Sequence, residues 1–154
     1  MKIIDSWLDT DLNNFLEQLF LYKTPHNWGH VSFFGKDLNM FYNTDLNPNE
    51  PITSFLINKF KKILPENYLC KRVYINIQHP GMNGTFHRDD GEITGVYMVT
   101  GEGDFQIKNL EKLDTIDFKK NRLIYFDSNK THRGLAPKKG VRITLAFKMS
   151  YNKK

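Results

Sequence analysis

The chain has 154 residues with 40% hydrophobic and 14% aromatic content, which suits one globular domain spanning residues 1–154 that buries roughly 70% of the unfolded chain's surface. The formal net charge of +5 permits a polyanionic partner but does not argue for one, because the lysine pairs are scattered and no basic stripe interleaved with aromatics is present. The single cysteine, Cys70, excludes an internal disulfide, and without a signal-peptide pattern or an apolar run of membrane-spanning length we expect a cytoplasmic protein.

Two helices are predicted in the first part of the chain. Asp9 can cap a helix over about residues 11–22, whose apolar residues fall on one face. A second helix is predicted over about 51–64, with a proline in its first turn and another just after it. Residues 25–49 carry Pro, Gly, Asn and many aromatics, which suggests one strand among long loops. We expect this helical region, about residues 1–70, to brace a sheet that follows it.

Three later segments have the alternation or the composition of strands: 71–78, 122–126 and 141–147. One face of the first segment carries Asn76 and Gln78, and one face of the last carries Arg142 and Thr144, while the opposite faces are apolar. Such a polar stripe is unusual inside a protein unless it faces a ligand. Strands separated by turns, with no helical period between them, predict a mainly β (α+β) fold with a double-sheet jelly roll over about 71–150.

The chemistry-bearing residues lie between these strands. His87 and Asp89 lie two residues apart, and His132 follows 43 residues after Asp89. Two imidazoles with one carboxylate are the ligand set of the facial triad that holds a non-haem Fe(II). This triad leaves positions open for O₂ and a co-substrate. Residues i and i+2 of a strand share a face, so His87 and Asp89 can bind one ion from one strand, with His132 arriving from a distant one. Arg88 and Asp90 should point away by the same alternation.

The order of motifs over residues 72–148 resembles the catalytic core of the 2-oxoglutarate- and Fe(II)-dependent oxygenases, most closely the small prolyl-4-hydroxylase-like members. The matching pieces, in chain order, are YINIQHPG, HRD, TGVYMV, GEGDFQI, RLIYF, THRG and VRITLAF. Asn76 and Pro80-Gly81 also match an N-x-Y-x-P-G arrangement of the AlkB-type demethylases, with Gln78 in the place of its Tyr. The resemblance implies a double-stranded β-helix (jelly roll) that uses Fe(II), 2-oxoglutarate and O₂.

The resemblance also implies roles for individual residues. His87, Asp89 and His132 would be the catalytic metal ligands. The far carboxylate of 2-oxoglutarate would reach Arg142, whose fork of donors suits a carboxylate. Thr144 would add a hydroxyl donor, and Asn76 would hold the near end. Gln78 is a further candidate contact. The prolyl hydroxylases often use a tyrosine there instead, which either Tyr74 or Tyr97 could supply.

The implied reaction is hydroxylation of an unactivated C–H bond, with 2-oxoglutarate converted to succinate and CO₂. We expect the substrate to be a prolyl or other side chain of a polypeptide, bound by the aromatic-rich segment 28–42 and the loop 79–85. A free amino acid or small molecule is the alternative. Two further hypotheses stay open. The first is an oxidative demethylase of nucleic acid, which would need a base-flipping lid that the segment before residue 71 does not show. The second is a non-enzymatic metal-binding jelly-roll recognition module, which would not need Arg142. We expect a monomer without membrane association.

Overall fold

The computed structural model describes residues 1–32, 39–65, 67–110 and 112–152. In these ranges the chain forms ten strands and two helices. In chain order they are β1 (Lys2–Ile4), α1 (Thr10–Tyr22), β2 (Asn27–Val31), β3 (Met40–Asp45), α2 (Pro51–Lys61), β4 (Tyr68–Gln78), β5 (Ile93–Thr100), β6 (Phe105–Asn109), β7 (Lys112–Ile116), β8 (Arg122–Asp127), β9 (His132–Gly134) and β10 (Arg142–Tyr151).

The strands form two antiparallel sheets, so the prediction of a mainly β fold with two helices is confirmed. The large sheet has the order β1-β8-β5-β10-β4-β3-β2, and the small sheet has the order β7-β6-β9. Strand β10 lies at the centre of the large sheet between β5 and β4. Its pairing with β4 places Arg142 opposite Gln78, Thr144 opposite Asn76 and Lys148 opposite Arg72. Residues directly opposite each other share a face, so the polar residues of both strands form one surface.

The two faces of the large sheet are covered differently. Helices α1 and α2 cover one face, where Leu16, Phe20, Leu56 and Phe60 pack with the apolar residues of the strands. The prediction that the helices brace the sheet is therefore confirmed. A smaller apolar cluster joins β5 and β8 to the small sheet on the other face. Neither helix of the described chain has the length and apolar character needed to cross a membrane.

The first helix begins as predicted, because Asp9 accepts a hydrogen bond from the backbone nitrogen of Leu12 at 2.8 Å. The second ends at Lys61, three residues before the predicted end, and residues 62–64 form a turn instead. Apolar residues in that turn still pack on the core, which explains why the helical pattern of the sequence continues beyond the helix.

Residues 25–49 contain two strands where one was predicted. β2 and β3 pair with each other, and β3 pairs with β4, so they extend the large sheet. The region 1–70 therefore supplies β1, β2 and β3 as well as the helices. The aromatics Phe33 and Phe34, counted in the predicted aromatic segment, lie outside the described residues.

Candidate metal centre

A cavity of about 410 Å³ lies over the polar face of β4 and β10. Val73, Ile75 and Leu145, on the opposite face, belong to the core beneath the helices, as the alternation of the sequence predicted. All seven site residues expected from the sequence line this cavity: Asn76, Gln78, His87, Asp89, His132, Arg142 and Thr144. The fold thus brings together residues that are up to 68 positions apart in the chain.

His87 and Asp89 lie in the segment between β4 and β5, not in a strand as the sequence predicted. His87 forms a single β-bridge with His132, with backbone N···O distances of 3.0 and 2.9 Å. The backbone nitrogen of Asp89 donates to the carbonyl of Ser128 at 3.0 Å. These bonds replace a strand pairing and hold both side chains toward the cavity. Arg88 and Asp90 are exposed but also border the cavity, contrary to the simple alternation expected of a strand.

The three candidate ligand side chains converge on one point. Asp89 Oδ1 lies 3.3 Å from His87 Nε2, and Asp89 Oδ2 lies 3.2 Å from His132 Nε2. The three ligand atoms lie within 4.8 Å of one another. The Nδ1 atoms of His87 and His132 bond the carbonyls of Thr85 and Lys130, each at 2.8 Å. Metal-bound histidines characteristically donate their second N–H to such an oxygen.

This donor set fits a divalent cation. A neutral imidazole carries one N–H, and because Nδ1 donates to a carbonyl, Nε2 presents a lone pair to the carboxylate of Asp89. Lone pairs from two rings and one carboxylate facing a common point need a cation between them. His₂-carboxylate is the ligand set of non-haem Fe(II) oxygenases, so the residues present are those that Fe(II) requires.

Asp89 remains ionised in this environment. Burial alone would raise its pKa, but its polar and charged neighbours, the ammonium of Lys148 among them, outweigh burial and hold the pKa well below its usual range. The hydroxyl of Thr94 also donates to Asp89 Oδ2 at 2.8 Å. The carboxylate is therefore available to a metal at neutral pH.

Arg142 lies at another part of the same cavity and is 2% exposed. Its Nε donates to the carbonyl of Gly103 at 3.1 Å, and an Nη atom donates to Oε1 of Gln78. Burial lowers the pKa of Arg142 to about 10, so it stays a cation at neutral pH. None of the carboxylates in the described ranges forms an ion pair with it. A buried guanidinium without a carboxylate partner is costly, and its fork geometry suits a carboxylate from a ligand.

Because Gly134 has no side chain, it leaves room for the guanidinium of Arg142. A Cβ atom at Gly134 would lie 3.0 to 3.2 Å from three atoms of the Arg142 guanidinium. Gly134 is two residues after His132 on β9, so the same short strand supplies one candidate metal ligand and the wall against which Arg142 rests.

The remaining predicted contacts of the co-substrate are Thr144, Asn76 and Gln78. Thr144 is buried on β10 and turns toward the cavity. The side chain of Asn76 accepts a hydrogen bond from Asn43 of β3 at 2.8 Å, a supporting residue that the sequence analysis missed. Gln78 accepts from Arg142 and donates to the carbonyl of Met82 at 2.6 Å, so it holds Arg142 in place from the neighbouring strand.

The two tyrosines considered as contacts of the co-substrate, Tyr74 and Tyr97, lie on opposite sides of the large sheet. Tyr74 lines the cavity, and burial raises its pKa, so it is a neutral phenol at physiological pH. Tyr97 belongs to the core beneath the helices, where its hydroxyl bonds Asn13 and Asn121. Tyr97 therefore does not reach the cavity, and Tyr74 is the tyrosine available to a ligand.

The sequence analysis missed Lys148, which is 8% exposed and lines the cavity. Its ammonium group contacts Asp89 Oδ2. Arg72, opposite Lys148 on β4, stacks on the ring of Tyr74 at 4.2 Å and donates to Asp45 at 2.6 Å. The signal was present in the sequence, because Lys148 continues the alternation of Arg142 and Thr144, but the predicted strand stops at residue 147, four residues before β10 ends.

No protein-family model matches this sequence, and no curated protein matches it either. Solved structures do share its fold. A 2OG-Fe(II) oxygenase family oxidoreductase from Burkholderia pseudomallei is 15% identical, with a TM-score of 0.78, and the match covers 96% of this chain and 84% of that chain. A prolyl hydroxylase from Trichoplax adhaerens, in complex with a hypoxia inducible factor peptide fragment, is 16% identical with a TM-score of 0.75, covering 99% and 84%.

A viral collagen prolyl hydroxylase from Paramecium Bursaria Chlorella virus-1, in its 2OG complex, is 19% identical with a TM-score of 0.69, and the match covers 99% of this chain and 96% of that chain. At such identities the likeness establishes the fold and not the substrate. The chain has the fold of the 2-oxoglutarate- and Fe(II)-dependent oxygenases, prolyl hydroxylases among them, as its motifs indicated.

Proposed function

We propose that this chain is a 2-oxoglutarate- and O₂-dependent Fe(II) dioxygenase that hydroxylates an unactivated C–H bond. One observation carries the proposal: a single cavity contains both the convergent triad of His87, Asp89 and His132 and the buried Arg142, which has no ion-pair partner among the described residues. A non-catalytic metal-binding module would have no use for Arg142, and the cost of burying an unpaired cation argues against that alternative.

Each residue has a defined task in this proposal. His87, Asp89 and His132 hold Fe(II), which when bound supplies the activation of O₂ coupled to the conversion of 2-oxoglutarate to succinate and CO₂. One oxygen atom of O₂ enters the substrate C–H bond and the other enters succinate. Arg142 binds the far carboxylate of 2-oxoglutarate, with Thr144 as a second donor. The cavity walls exclude water from the reacting groups.

We infer that β4 to β10 form the double-stranded β-helix expected from the sequence, within a single domain. The antiparallel pairing of β10 with β4 and β5 and the packing of the small sheet on β5 and β8 support this. In this arrangement the metal ligands come from the segment between β4 and β5 and from β9. The bridge of His87 to β9 and the backbone bond from Asp89 to Ser128 thus position them, as a metal site requires.

For the substrate, we propose a side chain of a polypeptide, prolyl by preference, with a free amino acid as the second candidate. The neighbours include a prolyl hydroxylase bound to a peptide and a collagen prolyl hydroxylase. His30, Val31 and Phe41 of the β2–β3 hairpin line the cavity, whereas Trp28 of the same hairpin packs against Tyr42, which contacts the core beneath the helices. Aromatic side chains that line a site are common contacts for an extended peptide.

The test is an anaerobic titration of the protein with Fe(II) and then 2-oxoglutarate. The proposal predicts a weak metal-to-ligand band in the visible spectrum, which is absent in Asp89→Ala. Admission of O₂ should then produce succinate. Binding of Fe(II) without a band on addition of 2-oxoglutarate would favour the non-catalytic module. A product 16 Da heavier from proline-containing peptides, against a panel of free amino acids, would decide between the two substrate candidates.

A further inference from the structure

The cavity contains a cation that neither Fe(II) nor 2-oxoglutarate needs. Lys148 is 8% exposed, and on the neighbouring strand it faces Arg72. Like charges directly opposite each other on a sheet are destabilising. Arg72 is neutralised by Asp45, to which it donates at 2.6 Å, whereas Lys148 contacts Asp89, the carboxylate that the metal would share, and lies 5.7 Å from the centre of the Tyr74 ring. Once a metal shares Asp89, Lys148 has no carboxylate of its own among the described residues.

A count of formal charges leaves Lys148 without a matching negative charge once Fe(II) and 2-oxoglutarate are bound. The buried charged side chains lining the cavity are Asp89, Arg142 and Lys148. Fe(II) with the two cationic side chains carries four positive charges, and 2-oxoglutarate with Asp89 carries three negative charges. One positive charge is left in a site where desolvation makes an unpaired charge costly.

Lys148 does not share a carboxylate with Arg142. The two residues are six positions apart on β10, which places their Cα atoms about 20 Å apart at about 3.3 Å per residue. The four C–C bonds of 2-oxoglutarate, at about 1.5 Å each, span no more than about 6 Å. The far carboxylate of 2-oxoglutarate at Arg142 is therefore out of reach of Lys148, whose ammonium lies beside the metal ligand Asp89.

We propose that Lys148 binds a carboxylate of the primary substrate, close to the C–H bond that is oxidised, so that the substrates of this chain are carboxylates. This rests on the proposed function. A single leftover charge matches a carboxylate better than a phosphate dianion, and a lysine ammonium binds it as a compact point charge. The carboxylate belongs either to a free amino acid or to an acidic side chain of a peptide.

The experiment compares acids with their amides on protein loaded with Mn(II), as a redox-silent substitute for Fe(II), and saturated with N-oxalylglycine in place of 2-oxoglutarate. Calorimetry measures binding of N-acetylated amino acids against their amides, starting with N-acetylproline and N-acetylprolinamide. A second arm compares the peptide acetyl-Gly-Glu-Gly-amide with acetyl-Gly-Gln-Gly-amide. We expect at least one acid to bind 10-fold or more tightly than its amide, and the arm in which it occurs identifies the source of the carboxylate.

Variants test whether Lys148 causes the preference for the acid over its amide. Lys148→Met should abolish the preference for the acid, and Lys148→Arg should retain part of it. Lys23→Met removes the same charge from an exposed position at the end of α1 and should leave the preference unchanged. Equal binding of acid and amide across both arms, or no binding of any acid, overturns the proposal.

Two further measurements separate this proposal from its competitors. In Lys148→Met, the affinities for Mn(II) and N-oxalylglycine should fall by no more than about 2-fold from the wild-type values. A parallel loss of either would mean that Lys148 serves Asp89 or the co-substrate instead, and would overturn the proposal. If the wild-type protein gives the anaerobic Fe(II)–2-oxoglutarate band but no acid preference, only this inference fails. Absence of the band means that the proposed function itself fails.

Discussion

Gln78 accepts a hydrogen bond from the guanidinium of Arg142, the residue directly opposite it in the pairing of β4 with β10. Gln78 also donates to the carbonyl of Met82, which anchors its amide in the turn after β4. Gln78 lines the cavity, but both polar atoms of its amide are used within the protein, by Arg142 and Met82. In the proposed function it is therefore a positioning residue, which would act on the co-substrate through Arg142.

The first prediction concerns this pair. Gln78→Leu removes this acceptor and leaves the Gly103 carbonyl as the hydrogen-bond acceptor of the Arg142 guanidinium among the described residues, so the fork should lose its fixed orientation. We expect the binding of 2-oxoglutarate to weaken by about 1.5–3 kcal/mol, the order of one hydrogen bond to a charged group. Calorimetry with Mn(II)-loaded protein measures this, with Mn(II) affinity as the control. A Gln78→Leu variant that binds 2-oxoglutarate normally would show that Gln78 does not position Arg142.

The second prediction concerns Arg142 itself. Arg142→Ala should weaken the binding of 2-oxoglutarate by about 2–5 kcal/mol, because it leaves a desolvated carboxylate unpaired. This loss corresponds to roughly 30-fold up to several thousand-fold in affinity. Metal affinity should change little. Unchanged affinity for 2-oxoglutarate would remove Arg142 from the co-substrate site and revive the non-catalytic alternative.

The third prediction concerns the metal. His87→Ala, Asp89→Ala and His132→Ala should each abolish 2-oxoglutarate decarboxylation while circular dichroism shows an intact fold. Asp89→Glu should also be poor, because the extra methylene displaces the carboxylate by more than a metal site tolerates. Any alanine variant with near-native turnover would exclude its residue from the ligand set.

The fourth prediction concerns the core between α2 and the large sheet. Phe60 is fully buried against Trp7, Tyr125 and Phe147, and a Cβ atom on Gly95 would lie 2.6 Å from its ring. Phe60→Ala should lower the free energy of unfolding by about 3–5 kcal/mol. Gly95→Ala should cost about 1–3 kcal/mol through overpacking.

A double-mutant cycle measured by urea unfolding checks this contact. The loss in free energy of unfolding caused by Gly95→Ala should be smaller in a Phe60→Leu background, because the ring that the new methyl group would meet is absent. Phe55→Ala, at a 49% exposed position on the same helix, is the control and should change stability by no more than about 0.5 kcal/mol. Additive costs for Gly95 and Phe60 would show that the two residues are not in contact.

The fifth prediction is a pH dependence. Burial raises the pKa of the Cys70 thiol to about 11. Because the thiolate is the nucleophile, alkylation by iodoacetamide at pH 8 should be much slower in the folded protein than in urea. The folded rate should keep rising with pH until about pH 11, where the unfolded rate has already levelled off. Equal rates in the two states, followed by mass spectrometry, would mean that the thiol is not perturbed.

The sequence by itself determined the chemistry of the site and the faces of its two central strands. The ligand types of His87, Asp89 and His132 are fixed by side-chain chemistry, and the period of two along β4 and β10 separates Asn76 and Arg142 from the apolar residues beneath the helices. These features are local, because a strand's alternation is set by its own backbone geometry. The cap at Asp9 is local for the same reason.

Only the tertiary structure decided which elements lie beside one another. The addition of β2 and β3 to the sheet, and the bridge between His87 and His132 that replaces a strand, depend on backbone partners distant in the chain. The choice of Tyr74 over Tyr97 and the position of Lys148 beside Asp89 depend on the same register. Strand pairing is a contact between segments far apart in sequence, and the period of one segment carries no information about which partner satisfies its backbone hydrogen bonds.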